Sequence, residues 1–140
     1  VSCVEETNAT KINVINFAPG SIGSDQTICD NTAPAAFTSV AATGDGTFVY
    51  SWESSPDGNA PWTVRGGATP TYTSPVLGTD TYFRRKTTAT LLGVSCEKYS
   101  NTVLVTVNEF NPGTISAPQT ICEGTAPAPF TAISPTRSCG

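Results

Sequence analysis

The 140-residue chain has no histidine and no methionine, and only 13% of it is charged. Each shortage excludes something. Without imidazole there is no Ser-His or Cys-His catalytic pair, no proton shuttle near neutral pH and no histidine-ligated zinc. The missing methionine points to a mature product or an excised piece. The charge content is about half the roughly 25% of an ordinary soluble domain. A formal net charge of −4 and an isoelectric point near 4.5 leave no basic face for nucleic acid or an anionic membrane. No apolar run approaches the roughly 20 residues of a membrane-spanning helix, and no signal peptide opens the chain.

What the chain has in abundance is Thr (23) and Ser (13), with 12 Gly and 11 Pro. That mixture favours short strands and many turns over helices. The strongest signal is internal repetition. Val1-Ser2-Cys3 returns as Val94-Ser95-Cys96, Pro19-Gly20 as Pro112-Gly113, and Gln26-Thr27-Ile28-Cys29 as Gln119-Thr120-Ile121-Cys122, always 93 residues later. Residues 1–39 laid on 94–132 without a gap give 19 identities, where chance gives two or three. A period of 93 residues is close to the roughly 100 of an immunoglobulin-like sandwich. The expected organisation is therefore the last strand of a preceding repeat in residues 1–18, a complete repeat in 19–111, and the first part of a following repeat in 112–140. The alternative is a duplication inside one larger domain. Ala18-Pro19-Gly20 and Asn111-Pro112-Gly113 mark the junctions, where proline and glycine end a strand and set a short bend.

Within the complete repeat, alternation of apolar and polar residues predicts about seven strands. These run over 22–28, 37–40, 47–54, 62–65, 71–73, 81–87 and 101–108. The fold class is thus all-β, an immunoglobulin-like antiparallel β-sandwich. Phe37, Tyr50, Trp52, Tyr72, Tyr82 and Val105 are the expected core. That core is thin, so a covalent staple would help. Cys29 and Cys96 are the only cysteines of the complete repeat and are expected to pair. The loop they would close spans 67 residues, worth roughly 4 kcal/mol in a chain-entropy model. Translation by one repeat sends the partners of Cys3 and Cys122 to neighbouring repeats. Cys139 aligns with Gly46 and stays open: a neighbour-specific residue, an artificial end, or a local partner for Cys122.

The order Gln26-Thr27-Ile28-Cys29, Tyr50-Ser51-Trp52-Glu53-Ser54-Ser55, Asp57-Gly58, Trp62-Thr63, Thr81-Tyr82-Phe83-Arg84-Arg85-Lys86 and Tyr99-Ser100-Asn101-Thr102-Val103 resembles the immunoglobulin-like (PKD-like) tandem repeats of giant Bacteroidetes surface proteins. SprB-type gliding-motility adhesins are among them. The likeness covers residues 1–132, and 133–140 depart from it. It implies export by the type IX system, secretion to the cell surface and a filament of stacked repeats whose partners are neighbouring repeats. It implies no catalytic residues, so the chain is not expected to be an enzyme.

Arg84-Arg85-Lys86 is the one basic cluster, with Arg84 and Lys86 on the strand face opposite Arg85. Arg85 with Trp62 and Phe83 could contact a surface polysaccharide; the simpler reading packs these side chains over the core rim. Cofactors are expected to be none. A junctional calcium would have only Asp25, Glu109 and Glu123 nearby, short of the usual carboxylate set. The absence of any CxxC spacing argues against a metal, and the Asn8-Ala9-Thr10 sequon is discounted. The expected function is a stalk or spacer repeat. The competing readings are a carbohydrate-binding module and an accessory domain of a secreted hydrolase.

Overall fold

The computed structural model describes Asn8 and residues 10–136. It is an all-β sandwich. Short strands come first: β1 (Phe17–Ala18), β2 (Ser21–Ile22), β3 (Gln26–Cys29), β4 (Ser39–Val40) and β5 (Thr43–Gly44). The long ones follow: β6 (Thr47–Ser55), β7 (Thr63–Gly66), β8 (Thr81–Leu91), β9 (Val94–Tyr99) and β10 (Val103–Asn108). Beyond these, among the described residues, lie β11 (Thr114–Ile115) and β12 (Ala132–Ile133). The main sheet runs β3-β10-β8-β6-β7, with β9 also on β8. The β1–β5 and β2–β4 ladders build the thinner second layer.

β8 organises the main sheet because it is long enough to hold three neighbours. Its first residues pair with β10, its last with β9, and nearly its whole length with β6. The β8–β9 hairpin was not anticipated. Leu92 and Gly93 both have positive φ, as a two-residue type I′ turn requires. Leucine in a position that usually takes asparagine or glycine hides the turn. One ladder is also parallel, β3 on β10, in an otherwise antiparallel sandwich.

The core lies between the layers. Trp52 is stacked between Phe37 (ring centroids 5.6 Å) and Tyr72 (5.4 Å), and Phe83 sits 5.1 Å from Phe37. Ile22, Val103 and Val105 close the cluster. Alternation on β10 is as expected, with Val103, Val105 and Val107 inward. On β8 the phase differs by one residue. Phe83, Arg85, Thr87 and Ala89 are buried, while Tyr82 faces outward and leaves the expected core. Period-two alternation flips every side chain when the phase slips by one. Residues 71–73 form no strand; Tyr72 is held by its ring contacts and by its carbonyl, which accepts from Phe37 N–H at 3.1 Å.

The expected Cys29–Cys96 bridge does not form. Cys96 carries a free thiol, and Cys29 is disulfide-bonded but not to it. Register explains why. Cys29 is opposite Asn108, three residues past Val105, which pairs with Thr81. Cys96 is opposite Ala89, eight residues along β8 in the other direction. At about 3.3 Å per residue the two lie roughly 35 Å apart along the strands, whereas a disulfide needs Cα atoms within about 7 Å. Cys3 and Cys139 lie outside the described residues.

The 93-residue period reappears as geometry. Ser21↔Val40 and Ile22↔Ser39 on β2–β4 become Thr114↔Ile133 and Ile115↔Ala132 on β11–β12. The Gln26 side chain donates to Ala35 O at 3.0 Å, and Gln119 to Ala128 O at 3.0 Å. Thr32 Oγ1 donates to Cys29 O, and Thr125 Oγ1 to Cys122 O. Asn31, at φ 56°, is replaced by Gly124 at φ 79°, a conformation asparagine tolerates and glycine prefers.

Alkylation of the native protein without reductant should label Cys96. A non-reduced digest containing a Cys29–Cys96 peptide would overturn this register. Phe37→Ala should cost about 3–5 kcal/mol in chemical denaturation, as for a buried aromatic, and a loss below about 1 kcal/mol would deny Phe37 its core role.

Candidate functional site: a buried arginine at the chain entry

Arg85 is the unusual residue of the fold, because it is fully buried. The inward phase of β8 puts it level with Trp52 on β6. Its four terminal N–H groups are all used. Nη1 donates to Ser39 Oγ and to Pro70 O at 2.9 Å. Nη2 donates to Pro19 O and Val40 O, both at 2.8 Å. Nε alone lacks a partner. The guanidinium also lies 4.6 Å from the Tyr50 ring centroid. Burial pushes its pKa below the ordinary guanidinium range, and Tyr50 opposes the shift. Arginine nevertheless stays charged at neutral pH. The positive charge therefore rests on carbonyl dipoles and a ring face.

Those carbonyls come from three separate stretches: the entry segment, β4 and the loop before Tyr72. One side chain thus ties the thin layer and the entry segment to the main sheet. Thr87 Oγ1 adds a second donor to Pro19 O at 3.1 Å. Gly20 is required beside it. Its φ is +74°, and a Cβ there would run into the Val40 carbonyl and sit 2.7 Å from Arg85 Nη2.

Further contacts fix the residues just before. Lys98 Nζ donates to Phe17 O at 2.6 Å and lies 4.8 Å from the Phe17 ring centroid. Phe17 packs 5.9 Å from Phe48. Asn16 N–H donates to Asp45 Oδ2 at 3.1 Å, and Asp45 N–H returns to Asn16 O at 2.9 Å. Sequence reasoning missed Lys98 and Asp45 as entry contacts. The available signal was Phe17 itself, which recurs as Phe110 two residues before the second Pro-Gly.

The sequence-predicted ligand residues are not brought together. Phe83 and Arg85 are buried and face the core, which corrects their reading as ligand contacts. Trp62 lies at the outer face, where the Arg84 guanidinium stands 4.1 Å from its ring centroid and 3.9 Å from that of Tyr99. Glu53 holds Arg84 at 2.8 Å. Lys86 pairs with Glu97 at 3.0 Å, and this hydrogen bond raises its pKa. The small stabilisation is present below the ordinary lysine range and lost as pH rises above it. Asp25, considered for calcium, instead accepts Leu104 N–H at 2.8 Å on β10. Among the described residues, no three His, Cys, Asp or Glu side chains cluster as a metal site would need.

A family model described as a domain of unknown function, DUF8696, matches residues 18–109. The chain belongs to this family. The matched span runs from the clamped entry to just past β10. No curated protein and no solved structure matches the chain.

Arg85→Ala in this DUF8696 domain should cost about 2–4 kcal/mol, since Pro70 O and Ser39 Oγ lose its donors at about 1–3 kcal/mol each, Thr87 still donates to Pro19 O, and water entering the cavity recovers part. Arg85→Lys should restore little, because an ammonium has three donors and no planar fork. Wild-type stability in either variant, measured by denaturant titration, would show that the clamp contributes nothing.

Proposed function

We propose that the chain is a structural spacer: an immunoglobulin-like, PKD-like repeat in the stalk of a large, exported cell-surface adhesin of the gliding-motility type. It is not an enzyme, and its partners are neighbouring repeats. The observation that carries this reading is where the chain enters and leaves. It enters at Phe17–Ala18, beside the strand that leads into Thr47, which pairs with Thr90 near the end of β8. It leaves after Asn108, beyond the opposite end, where Val105 pairs with Thr81. Entry and exit are thus roughly 40 Å apart along the strands, as head-to-tail stacking needs.

The entry clamp supports the same reading. Arg85, Thr87 and Lys98 spend their donors on the backbone of residues 17–19. They limit bending at the point where one repeat would meet the next. Tension between the ends loads the β10 ladders to β3 and β8 along the strands, where several hydrogen bonds must fail together. On the outer face, Trp62 and Tyr99 each give a ring face to Arg84, so these aromatics are already engaged within the protein.

Two measurements test the spacer reading. Pulling on a tandem chain by its ends should give separate unfolding steps, each releasing roughly 300 Å for about 90 residues. On a glycan array the folded protein should retain no polysaccharide. Saturable binding that Trp62→Ala or Tyr99→Ala abolishes without unfolding the protein would replace the spacer with a carbohydrate-binding module.

A further inference from the structure

Resting on the repeat reading, we infer that residues 110–136 form an open half-sandwich whose apolar face is a docking surface for a further copy of the main sheet, one bearing the equivalents of residues 47–108. The argument starts from matched pairs. Phe17 is 4% exposed and its counterpart Phe110 is 61%; Ile22 is 5% and Ile115 76%; Phe37 is 2% and Phe130 60%. The backbone is already shaped for burial. β11–β12 keeps the register of β2–β4, and Ser116 N–H bonds Thr131 O at 2.8 Å as Gly23 N–H bonds Thr38 O at 2.8 Å. The same residue types in the same local geometry differ only in what covers them.

The chemistry of the cover can be specified. In the complete repeat the covering side chains are Trp52, Phe83, Val103 and Val105, with Arg85 beside them. The receiving carbonyls for that arginine are Pro19 O and Val40 O. Their counterparts are Pro112 O and Ile133 O. Both residues line an open cleft with Gly113, Ile115 and Pro135. Gly113 has φ +80°, and a Cβ on it would strike Ile133 O, just as one on Gly20 would strike Val40 O. A guanidinium cradle of two carbonyls therefore accompanies the apolar face. A generic hydrophobic partner would bring no donor to this cradle and would bury Pro112 O dry.

A second copy of this chain cannot supply the cover from its own flanks. The other flank exposes Ile12 (84%) and Val14 (76%), the counterparts of Val105 (0%) and Val107 (5%). These residues correspond to β10 alone, and residues 10–16 do not form the strand expected of them. The two flanks together still lack the counterparts of β6 to β8, which carry Trp52, Phe83 and Arg85.

The test is an extended chain, residues 1–136 followed by a second copy of residues 44–111, compared with the 140-residue protein by hydrogen exchange and denaturation. The amides of Ile115, Ser116 and Ile133 should exchange on the order of 100-fold more slowly in the extended chain, and a second cooperative transition should appear. Arg85→Ala in the appended copy alone should remove that protection and leave residues 19–108 unchanged. Unaltered exchange at 114–133 in the extended chain would overturn the inference. In the 140-residue protein, Phe130→Asp should leave the unfolding midpoint where it is; a large fall would mean that the face is already covered, and would equally overturn it. Glycan binding by a well-protected extended chain would defeat the spacer reading and leave this one standing.

Discussion

A guanidinium sealed inside a sandwich, with no carboxylate paired to it among the described residues, is the constraint around which this fold is arranged. Leaving such a charge unpaired in the interior would cost several kcal/mol. Here the cost is offset by four charge-assisted hydrogen bonds and the Tyr50 ring face. The acceptors are fixed in space only when the entry segment, β4 and the loop before Tyr72 are all in place. Arg85 therefore couples parts of the chain that share little else. The thin second layer, built of two-residue ladders, gains through that side chain much of what a longer sheet would gain through its own hydrogen bonds.

The same arrangement connects stability to the reading as a spacer. A module that holds its own entry segment by backbone contacts passes strain from the junction into its main sheet. The contacts made by Arg85, Thr87, Lys98 and Asp45 fall on Asn16, Phe17 and Pro19, within four consecutive residues. Phe-x-Pro-Gly recurs at 110–113. Stiffness of this kind comes from packing and hydrogen bonds, and requires neither a metal nor a bridge between Cys29 and Cys96.

The polar and aromatic side chains that first suggested ligand chemistry are engaged structurally. Arg84 is held between two rings and a carboxylate, Asp25 caps the amide of Leu104, and Arg85 and Phe83 face inward. A basic run on a strand divides between two faces, and which half turns inward depends on phase. Arg85 and Lys86 are adjacent in the chain, yet one is sealed among carbonyls and the other pairs with Glu97 at the surface.

Composition, turn residues and the 93-residue period by themselves determined the all-β class, the alternation on β10, and Trp52 and Phe37 as core residues, because these depend on local pattern. The phase of β8 and the separation of Cys29 from Cys96 were decided only by tertiary structure. Tyr82 and Phe83 are adjacent large aromatic residues, so alternation alone does not say which turns inward; pairing with β6 and β10 does. Two cysteines in one repeat look like partners until ladder register places them at opposite ends of the sheet. The acceptors of Arg85 lie 15 to 66 residues away along the chain, and only folding brings them to one point.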